Sequence, residues 1–598
     1  MHHPYAQQPG LALAAAQAAT AVAVATRLVY AGDRGMGPRV AGLVLAGLFP
    51  FTGHPLLLLL AAGAASALAM LVVARRRLAF AALAAHALLG ALSVLCVGFE
   101  RDLSVLATVV QTLLIALLDV PNDPAPTRAA AGWTDALLFG FATATAAFVS
   151  ELVFARTSIM DDEWAYTFQA DLFAHGRAFA GVFPCASPFD NSWLYAHDGR
   201  TFSQFTPGWP LFMAPFVRLG LAWLASPVAL GLLLMAVARL GRRLGSGAPQ
   251  RTGLLAAVMA GAGASVLLNA GSRFSHVFVA AMFAWSVEAA SALLAAPGRR
   301  SALALGTCLA AMSSARPTDG VLLASGIVLV LAVAAWRGSV PKRELAVAGA
   351  TFTGWMALTL GILRAQLGVW FQTGYALTDV LRPWAKLVID LPARDQWTYA
   401  LPLAAGTYCW WPCSIALGVG GLTLARRARP LVSMLAIGTL ALLAFYVFVD
   451  FARLRYWAYG PRYQLPVVVA LSVGGAVWLS PLLARRWSAL MVTVSFAGAL
   501  LAIAAQLYPA AQREAHARSA VFRAIARERV HHAVVWVGQG ELSSHPSALT
   551  QNLASDLDAD VIILARRSHA DVACARERYP DRRFYRALGL GEVTLVPD

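Results

Sequence analysis

The sequence predicts an all-α polytopic membrane protein of about sixteen transmembrane helices, with a small α/β domain outside the membrane at its C-terminal end. Composition is the first reason: of 598 residues, 59% are hydrophobic and 13% charged, with a mean hydropathy of +0.63. A soluble domain carries roughly one-quarter charged residues. Apolar stretches of about twenty residues, each able to cross a ~30 Å hydrocarbon core as a helix, recur along most of the length. Short basic clusters fall in alternate loops between them, the pattern left by retention of Lys and Arg on the cytoplasmic side.

The stretches run at about 11–30, 37–53, 55–74, 78–98, 102–120, 132–155, 222–240, 252–270, 275–295, 301–314, 318–336, 345–365, 398–424, 430–450, 464–482 and 487–508. The first does not read as a signal peptide, because it lacks a charged leading region and no soluble domain follows. Residues 1–120 form an N-terminal addition of five helices, with short loops and no constellation of reactive side chains. "DVPNDPAPTRAAAG" joins them to a core over 132–508, and its prolines and polar residues mark a linker.

Arg75-Arg76-Arg77, Arg242-Arg243, Arg299-Arg300, Arg337 with Lys342-Arg343, Arg426-Arg427 with Arg429, and Arg485-Arg486 place their loops inside. Both termini then lie outside, with the loops 156–221, 271–275, 315–317, 366–397 and 451–463 and the tail 509–598. The net charge of +16 is accordingly topology signal and anionic-lipid contact, which calls for no nucleic-acid partner.

"SIMDDEWAYTFQADLFAHG" (158–176) opens the longest outside loop with Asp161, Asp162 and Glu163. As a helix it would carry Trp164, Phe168 and Leu172 as an apolar stripe suited to the headgroup plane. Asp162, Tyr166, Gln169 and Phe173 would share another face. Two readings of the triplet stand together. Acids are favourable in a helix's first turn, and Asp is a good N-cap. Adjacent carboxylates at a partly desolvated interface also repel, which raises a pKa and makes a proton acceptor.

The loop continues "FPCASPFDNSWLYAHDGRTFSQFTPGWPLFMAPFVRLG". Its Asp190, Asn191, His197, Asp198, Arg200, Gln204 and Trp209 suit a carbohydrate-facing surface, or else a compact loop with aromatic anchors. A basic counterpart follows at 450–466, "DFARLRYWAYGPRYQLP", with Arg453, Arg455, Arg462, Tyr456, Tyr459 and Tyr463. Arginine's planar fork fits a phosphate, of a substrate or of lipid headgroups. "NAGSRFSHVFVA" adds Arg273 and His276, and "SSARPTDG" adds Arg316 and Asp319 beside a helix-breaking proline. Ionisable groups at membrane depth are costly and usually face a functional cavity; a lone His such as His276 reads as a supporting hydrogen-bonder.

The acidic opening of the loop, the "FTPGWPLFMAP" return, "RFSH", "ARPTDG" and "YGPRY", in this order and on one side, together resemble the GT-C superfamily of membrane glycosyltransferases. The likeness is to its bacterial branch of protein mannosyltransferases, aminoarabinose transferases and lipopolysaccharide-core sugar transferases, over roughly 132–508. The resemblance implies a polyprenyl-phosphate sugar donor, an envelope glycan, lipid or protein acceptor, and an inner-membrane enzyme working on its periplasmic side. It implies Asp162 as general base with Glu163 as neighbour and Asp161 as the alternative register, and inversion at the anomeric carbon. Arg462, with Arg453 or Arg455, would hold the leaving phosphate, while Tyr166, Gln169, His276, Arg316, Asp319, Tyr459 and Tyr463 would line or support the site. Several relatives place a lysine just before the Pro-containing return; here the stretch reads Gln204-Phe205-Thr206-Pro207-Gly208, so Arg200 or Arg273 would have to substitute.

In the tail, "HHAVVWVG" and "ADVIILARRS" read as buried strands and "AQREAHARSAVFRAIARER" as an amphipathic helix. His531-His532 lacks a neighbouring ligand cluster and reads as surface. No cofactor and no metal ligand is assigned, and a divalent-cation requirement stays open. Cys409 and Cys413 read as small hydrophobes within a span, while Cys185 and Cys574 both lie where a disulfide can form. Two rivals remain: a transporter or flippase, which would show broken helices and mid-span charges not evident here, and a relative that binds glycolipid without catalysis.

Overall fold

The computed structural model describes residues 130–182, 193–245, 247–261, 263–377, 414–425, 428–448, 462–481, 508–509, 511–538, 560–566, 569–589 and 593–598. The expected helices over 1–120, the stretch 487–508 except Tyr508, Arg453, Arg455, Tyr456, Tyr459, Cys185, Cys409 and Cys413 lie outside these residues.

The core begins with α1 (Ala130–Leu152) and the short α2 (Asp161–Ala174). A small antiparallel sheet follows, of β1 (Ala180–Gly181), β2 (Leu194–His197) and β3 (Arg200–Ser203) in the order β1-β3-β2. Then come α3 (Gly208–Arg218), α4 (Ala225–Leu244), α5 (Pro249–Gly261), α6 (Ala264–Gly271), α7 (His276–Ala295), α8 (Arg299–Ala315), α9 (Pro317–Trp336) and α10 (Lys342–Leu367). After them are α11 (Ser414–Leu424), α12 (Arg429–Phe448) and α13 (Val467–Leu479).

Among the described residues, six helices are long and apolar enough to cross a membrane: 133–152, 222–244, 276–295, 317–336, 342–367 and 429–446. The expected single span over 252–270 is instead broken into α5 and α6, which meet at a bend of 72° and would make a seventh span if taken together. Gly261 and Gly263 flank the break, and glycine tolerates such changes of direction at least steric cost. A broken helix is therefore present where none was expected.

Small residues set the closest crossings. A Cβ on Gly421 would sit 1.7 Å from the Gly474 carbonyl oxygen, and one on Gly474 would sit 2.0 Å from that of Gly418. α11 and α13 thus touch backbone to backbone, which only glycine permits and which favours dispersion contact where no hydrophobic force drives helices together.

The two ends of the bundle differ in chemistry. At the end formed by the start of α1 and the finishes of α4 and α7, Asp135 accepts from Arg239 (2.9 Å) and Arg242 (2.5 Å), and Glu288 takes both arms of Arg243 (2.6 and 2.7 Å). These pairs lock α1, α4 and α7 together without leaving a buried carboxylate uncompensated. The opposite end carries α2, the small sheet, the α6–α7 and α8–α9 junctions and the start of α13.

The tail contains α14 (Ala520–Arg527), β4 (Ala533–Gly538), β5 (Val561–Arg566), α15 (His569–Arg578), β6 (Arg583–Leu588) and β7 (Thr594–Pro597). Their sheet order is β5-β4-β6-β7, with β4 parallel to β5 and β6 and β7 antiparallel to β6. The alternation of β4 places Val535 and Val537 with Val521 and Ala524 of α14, and Val534 and Trp536 with Ala575 and Tyr579 on the other face. Cys574 is disulfide-bonded, while Cys308 is a free thiol.

Candidate functional site

The site is built around α2. Ala155 and Arg156, at φ 49° and 56°, turn the chain at the end of α1 through the left-handed region that non-glycine residues rarely occupy. Met160 sits at the N-cap of α2, so Asp161, Asp162 and Glu163 fill its first turn, where the helix dipole favours acids. The expected headgroup stripe is not there. Trp164, Phe168 and Leu172 are all buried, as are Tyr166, Gln169 and Asp171, because α3 and β3 pack over the helix.

The three carboxylates have different surroundings, so their adjacency does not make a shared repulsive site. Asp161 is buried at the start of the helix. Glu163 is fully buried, and its Oε2 and Oε1 accept the backbone N–H groups of Arg273 (2.8 Å) and Ile159 (3.3 Å). Its role is to tie the first turn of α2 to the α6–α7 junction. The guanidinium of Arg273 closes the same knot, donating to the Arg156 carbonyl (2.7 Å) and Thr167 Oγ1 (3.4 Å). Trp209 Nε1 donates to the Arg273 carbonyl at 2.9 Å, which brings in the "TPGWP" return. At Gly208 a Cβ would lie 2.5 Å from the Ala315 backbone nitrogen, so the return can pass against the end of α8 only as glycine.

Asp162 faces the other way, toward Arg462, whose Nη2 donates to its Oδ2 at 3.1 Å. Arg462 stands in the 3₁₀ turn Arg462–Gln464 just before α13, with its guanidinium carbon 4.0 Å from the centre of the Phe274 ring and 5.5 Å from that of Tyr463. Both residues are largely buried, and the aromatic faces add cation–π attraction to the ion pair.

A second charged pair lies beside the first. Arg316 is ion-paired with Asp319 across the α8–α9 junction, donates to Tyr446 Oη (3.2 Å) and stacks on Tyr463 (4.7 Å). Tyr446 in turn donates to Asp319 at 2.5 Å. Pro317 forces the break that puts Arg316 at this junction. His276 meets the Tyr463 ring edge-on at 4.9 Å. Tyr463 therefore touches Arg316, Arg462 and His276 at once.

Tyr166 completes the ring of phenols. Its hydroxyl lies 3.4 Å from Ser275 Oγ, and its ring stacks on Phe205 at 4.3 Å. Burial pushes this hydroxyl well above the ordinary phenol range, with the Arg316 charge opposing the shift; it stays protonated and able to donate. Sequence reading missed Tyr375. It packs edge-on against Phe205 at 6.1 Å, the ring on which Tyr166 stacks, while 42% of its own surface is open. The signal was the aromatic run "GVWFQTGY" (368–375) at a span end.

Gln169 and Arg200 do not join this group. The Gln169 amide accepts from Ser203 N (3.0 Å) and donates to the Ala178 carbonyl (2.9 Å), pinning the small sheet on α2. Arg200 donates to the Ala365 carbonyl at 2.9 Å on the outside of the molecule. The proposed carbohydrate-facing run of the loop is largely hairpin and core: Asp198 and Gly199, at φ 47° and 75°, form the turn joining β2 to β3. Gln204 accepts from Tyr195 Oη, and Trp209 is fully buried. Asp190 and Asn191 lie outside the described residues.

The result is a largely buried cluster at this end of the bundle, with one carboxylate and two guanidinium groups, Asp162, Arg462 and Arg316, beside Tyr166, Tyr446 and Tyr463, and with Tyr375 joined to it through Phe205. Such an arrangement can accept a proton, hold an anion and donate hydrogen bonds within one water-poor space. Among the described residues no three His, Cys, Asp or Glu side chains converge to hold a metal ion.

No protein-family model and no curated protein matches the chain. The structure is similar to that of ArnT from Cupriavidus metallidurans bound to undecaprenyl phosphate, at 14% identity and a TM-score of 0.47, covering 77% of this chain and 94% of that one. It is similar also to the apo state of the same protein, at 15% identity and a TM-score of 0.45, covering 76% and 89%. The apo oligosaccharyltransferase of Archaeoglobus fulgidus is a further likeness, at 11% identity and a TM-score of 0.40, covering 76% of this chain and 70% of that one.

Proposed function

We propose that the chain is an inverting membrane glycosyltransferase of the GT-C type that moves a sugar from a polyprenyl-phosphate donor to an envelope glycan, lipid or protein. The carrying observation is the Asp162–Arg462 pair, 3.1 Å apart and largely buried, at the end of the helical bundle opposite the Asp135 and Glu288 clusters. It joins a base and an anion-binding group across one small space, as displacement of a phosphate requires.

In this reading the donor phosphate takes over the guanidinium of Arg462, which releases Asp162. The acceptor hydroxyl loses its proton to Asp162 Oδ2 as its oxygen bonds to the anomeric carbon. The bond from that carbon to the phosphate oxygen breaks, and the electron pair leaves on the lipid phosphate. Arg462 and Arg316 stabilise that charge, and fixed cations in a desolvated site do this most effectively. Attack opposite the leaving group inverts the carbon. Glu163 and Arg273 position Asp162 and do not touch the reacting atoms.

The positive-inside pattern supports an external position for this end of the bundle, which for a bacterial inner membrane would be the periplasm. The test is transfer of radiolabel from a panel of polyprenyl-phosphate sugars in proteoliposomes, comparing wild type with Asp162→Asn. Label reaching an acceptor with wild type alone supports the reading, and no transfer from any donor sinks it. The bend between α5 and α6 favours a second reading, a lipid-linked-sugar flippase; movement of labelled lipid between leaflets without sugar transfer would select it.

A further inference from the structure

The segment after α10 carries a second feature, apart from the Asp162–Arg462 cluster. α10 ends at Leu367, and Gly368 follows with φ +76°, the left-handed C-cap that glycine supplies. A Cβ there would lie 3.6 Å from Arg200 Nη1 and 3.8 Å from Arg364 Nη1. Two guanidinium groups, one from β3 and one from the last turn of α10, thus converge on a single point. Arg200 donates to the Ala365 carbonyl and packs on Phe179 (5.2 Å), and Arg364 packs on Trp370 (6.0 Å). Neither is paired with a carboxylate among the described residues.

The helix C-terminus offsets part of this repulsion, but two unpaired charges on the side that positive-inside retention depletes still ask for an anion. Beside them Trp370 and Phe371 project outward, 56% and 83% exposed, with Phe371 at φ 60°. A bulky residue in the left-handed region is strained, and here that conformation turns two large apolar rings away from the protein at the end of a membrane-length helix. Aromatic rings at a span end sit at headgroup depth.

We propose that Arg200 and Arg364 form a seat for the phosphodiester of an anionic phospholipid in the adjoining leaflet, with Trp370 and Phe371 lying against its acyl region. The seat favours anionic over zwitterionic lipid because neither guanidinium is paired with a carboxylate among the described residues. It is also connected to the Asp162 cluster through the segment that follows. Gly374 packs on the Gln204 backbone, where a Cβ would lie 2.4 Å from the carbonyl oxygen. Lipid at Gly368 therefore bears on the same short, clamped segment that presents Tyr375.

The test is native mass spectrometry of the full chain released from mixed phosphatidylglycerol and phosphatidylcholine membranes. It needs no sugar donor, so its outcome is separate from that of the glycosyltransferase reading. Wild type should retain phosphatidylglycerol over phosphatidylcholine on the order of ten-fold, as two juxtamembrane charges provide. Arg364→Gln should lower that preference several-fold while preserving the Arg200 bond to α10, Trp370→Ser with Phe371→Ser should shorten retention, and Arg200→Lys with Arg364→Lys should keep most of the preference. Equal retention of both lipids by wild type, or an unchanged preference in Arg364→Gln with normal thermal unfolding, overturns the proposal.

Discussion

Arg462 Nη2 and Asp162 Oδ2 meet at 3.1 Å across three hundred residues of sequence, and each is largely removed from water. Removing one member of such a pair strands the other, at a cost of about 3–5 kcal/mol, whereas replacing both by apolar groups is often tolerated. Asp162→Ala should therefore lower the thermal unfolding temperature sharply, and Asp162→Ala with Arg462→Met should recover much of it. Neither variant should transfer sugar. A double variant no more stable than Asp162→Ala would show that the pair is not energetically coupled.

Asp162→Asn separates chemistry from packing. An amide keeps the shape and an acceptor oxygen for Arg462 but cannot take a proton near neutral pH, so turnover should fall by about 10²–10⁴-fold, the usual contribution of a general base. Unfolding should change far less than in the alanine variant. Residual activity within a factor of about ten of wild type would assign the base elsewhere.

Glu163 gives the contrasting result. Both its oxygens accept backbone N–H groups, and Glu163→Gln turns one of those acceptors into a donor facing a donor. The expected cost is about 1–3 kcal/mol from a buried group left unsatisfied, read as a lower unfolding temperature. Loss of activity should track loss of folded protein. A Glu163→Gln protein of wild-type stability would refute the positioning role.

These three cases show what was legible in the sequence. Most helix positions among the described residues, the segregation of charge to the two ends and the placing of Asp162 and Arg462 at one end could be read because each depends on residue type and sidedness, which the chain displays directly. The division of labour within Asp161-Asp162-Glu163 could not, since it depends on which way successive turns face in a helix covered on all sides, and a helix buried all round carries no stripe to orient it. Arg273 matched the chemistry of phosphate binding but donates to the Arg156 carbonyl, and Arg200, bonded to the Ala365 carbonyl on the outside of the molecule, stands apart from the Asp162–Arg462 pair. Asp198 resembled a sugar ligand and is turn chemistry. Tyr375 reaches Phe205 only because Gly374 can lie on Gln204, a close approach that composition does not announce.

Gly208→Ala tests the return of the external loop into the bundle. The added methyl would lie 2.3 Å from Ser314 Oγ and 2.5 Å from the Ala315 nitrogen, and backbone cannot yield as a side-chain tip can. Overpacking of this kind costs about 1–3 kcal/mol. It should also displace Thr206, which donates to the Ala315 carbonyl at 3.0 Å, and with it Phe205 beneath Tyr166 and Tyr375. A lower unfolding temperature with impaired activity is expected, and an unaffected protein would mean that α3 and α8 are farther apart than described.

In the tail, Asp560 accepts from the His531 ring (2.6 Å) and the His532 backbone N–H (2.7 Å), and the His531 bond, followed by the backbone bond, holds its carboxyl below the usual value of 3.8. A carboxyl depressed by folding stabilises the folded state above its unfolded pKa, and that contribution disappears as pH falls through the folded value. Acid should therefore weaken the β4–β5 edge below about pH 4. Asp560 is exposed, so the effect is small and screened by salt. Hydrogen exchange of the β4 amides in the full chain, followed from pH 6 down to pH 3, reads it directly. Protection in wild type should fall relative to Asp560→Asn only over the lower part of that range, and parallel profiles for the two proteins would show that the His531–Asp560 contact contributes nothing to holding the edge.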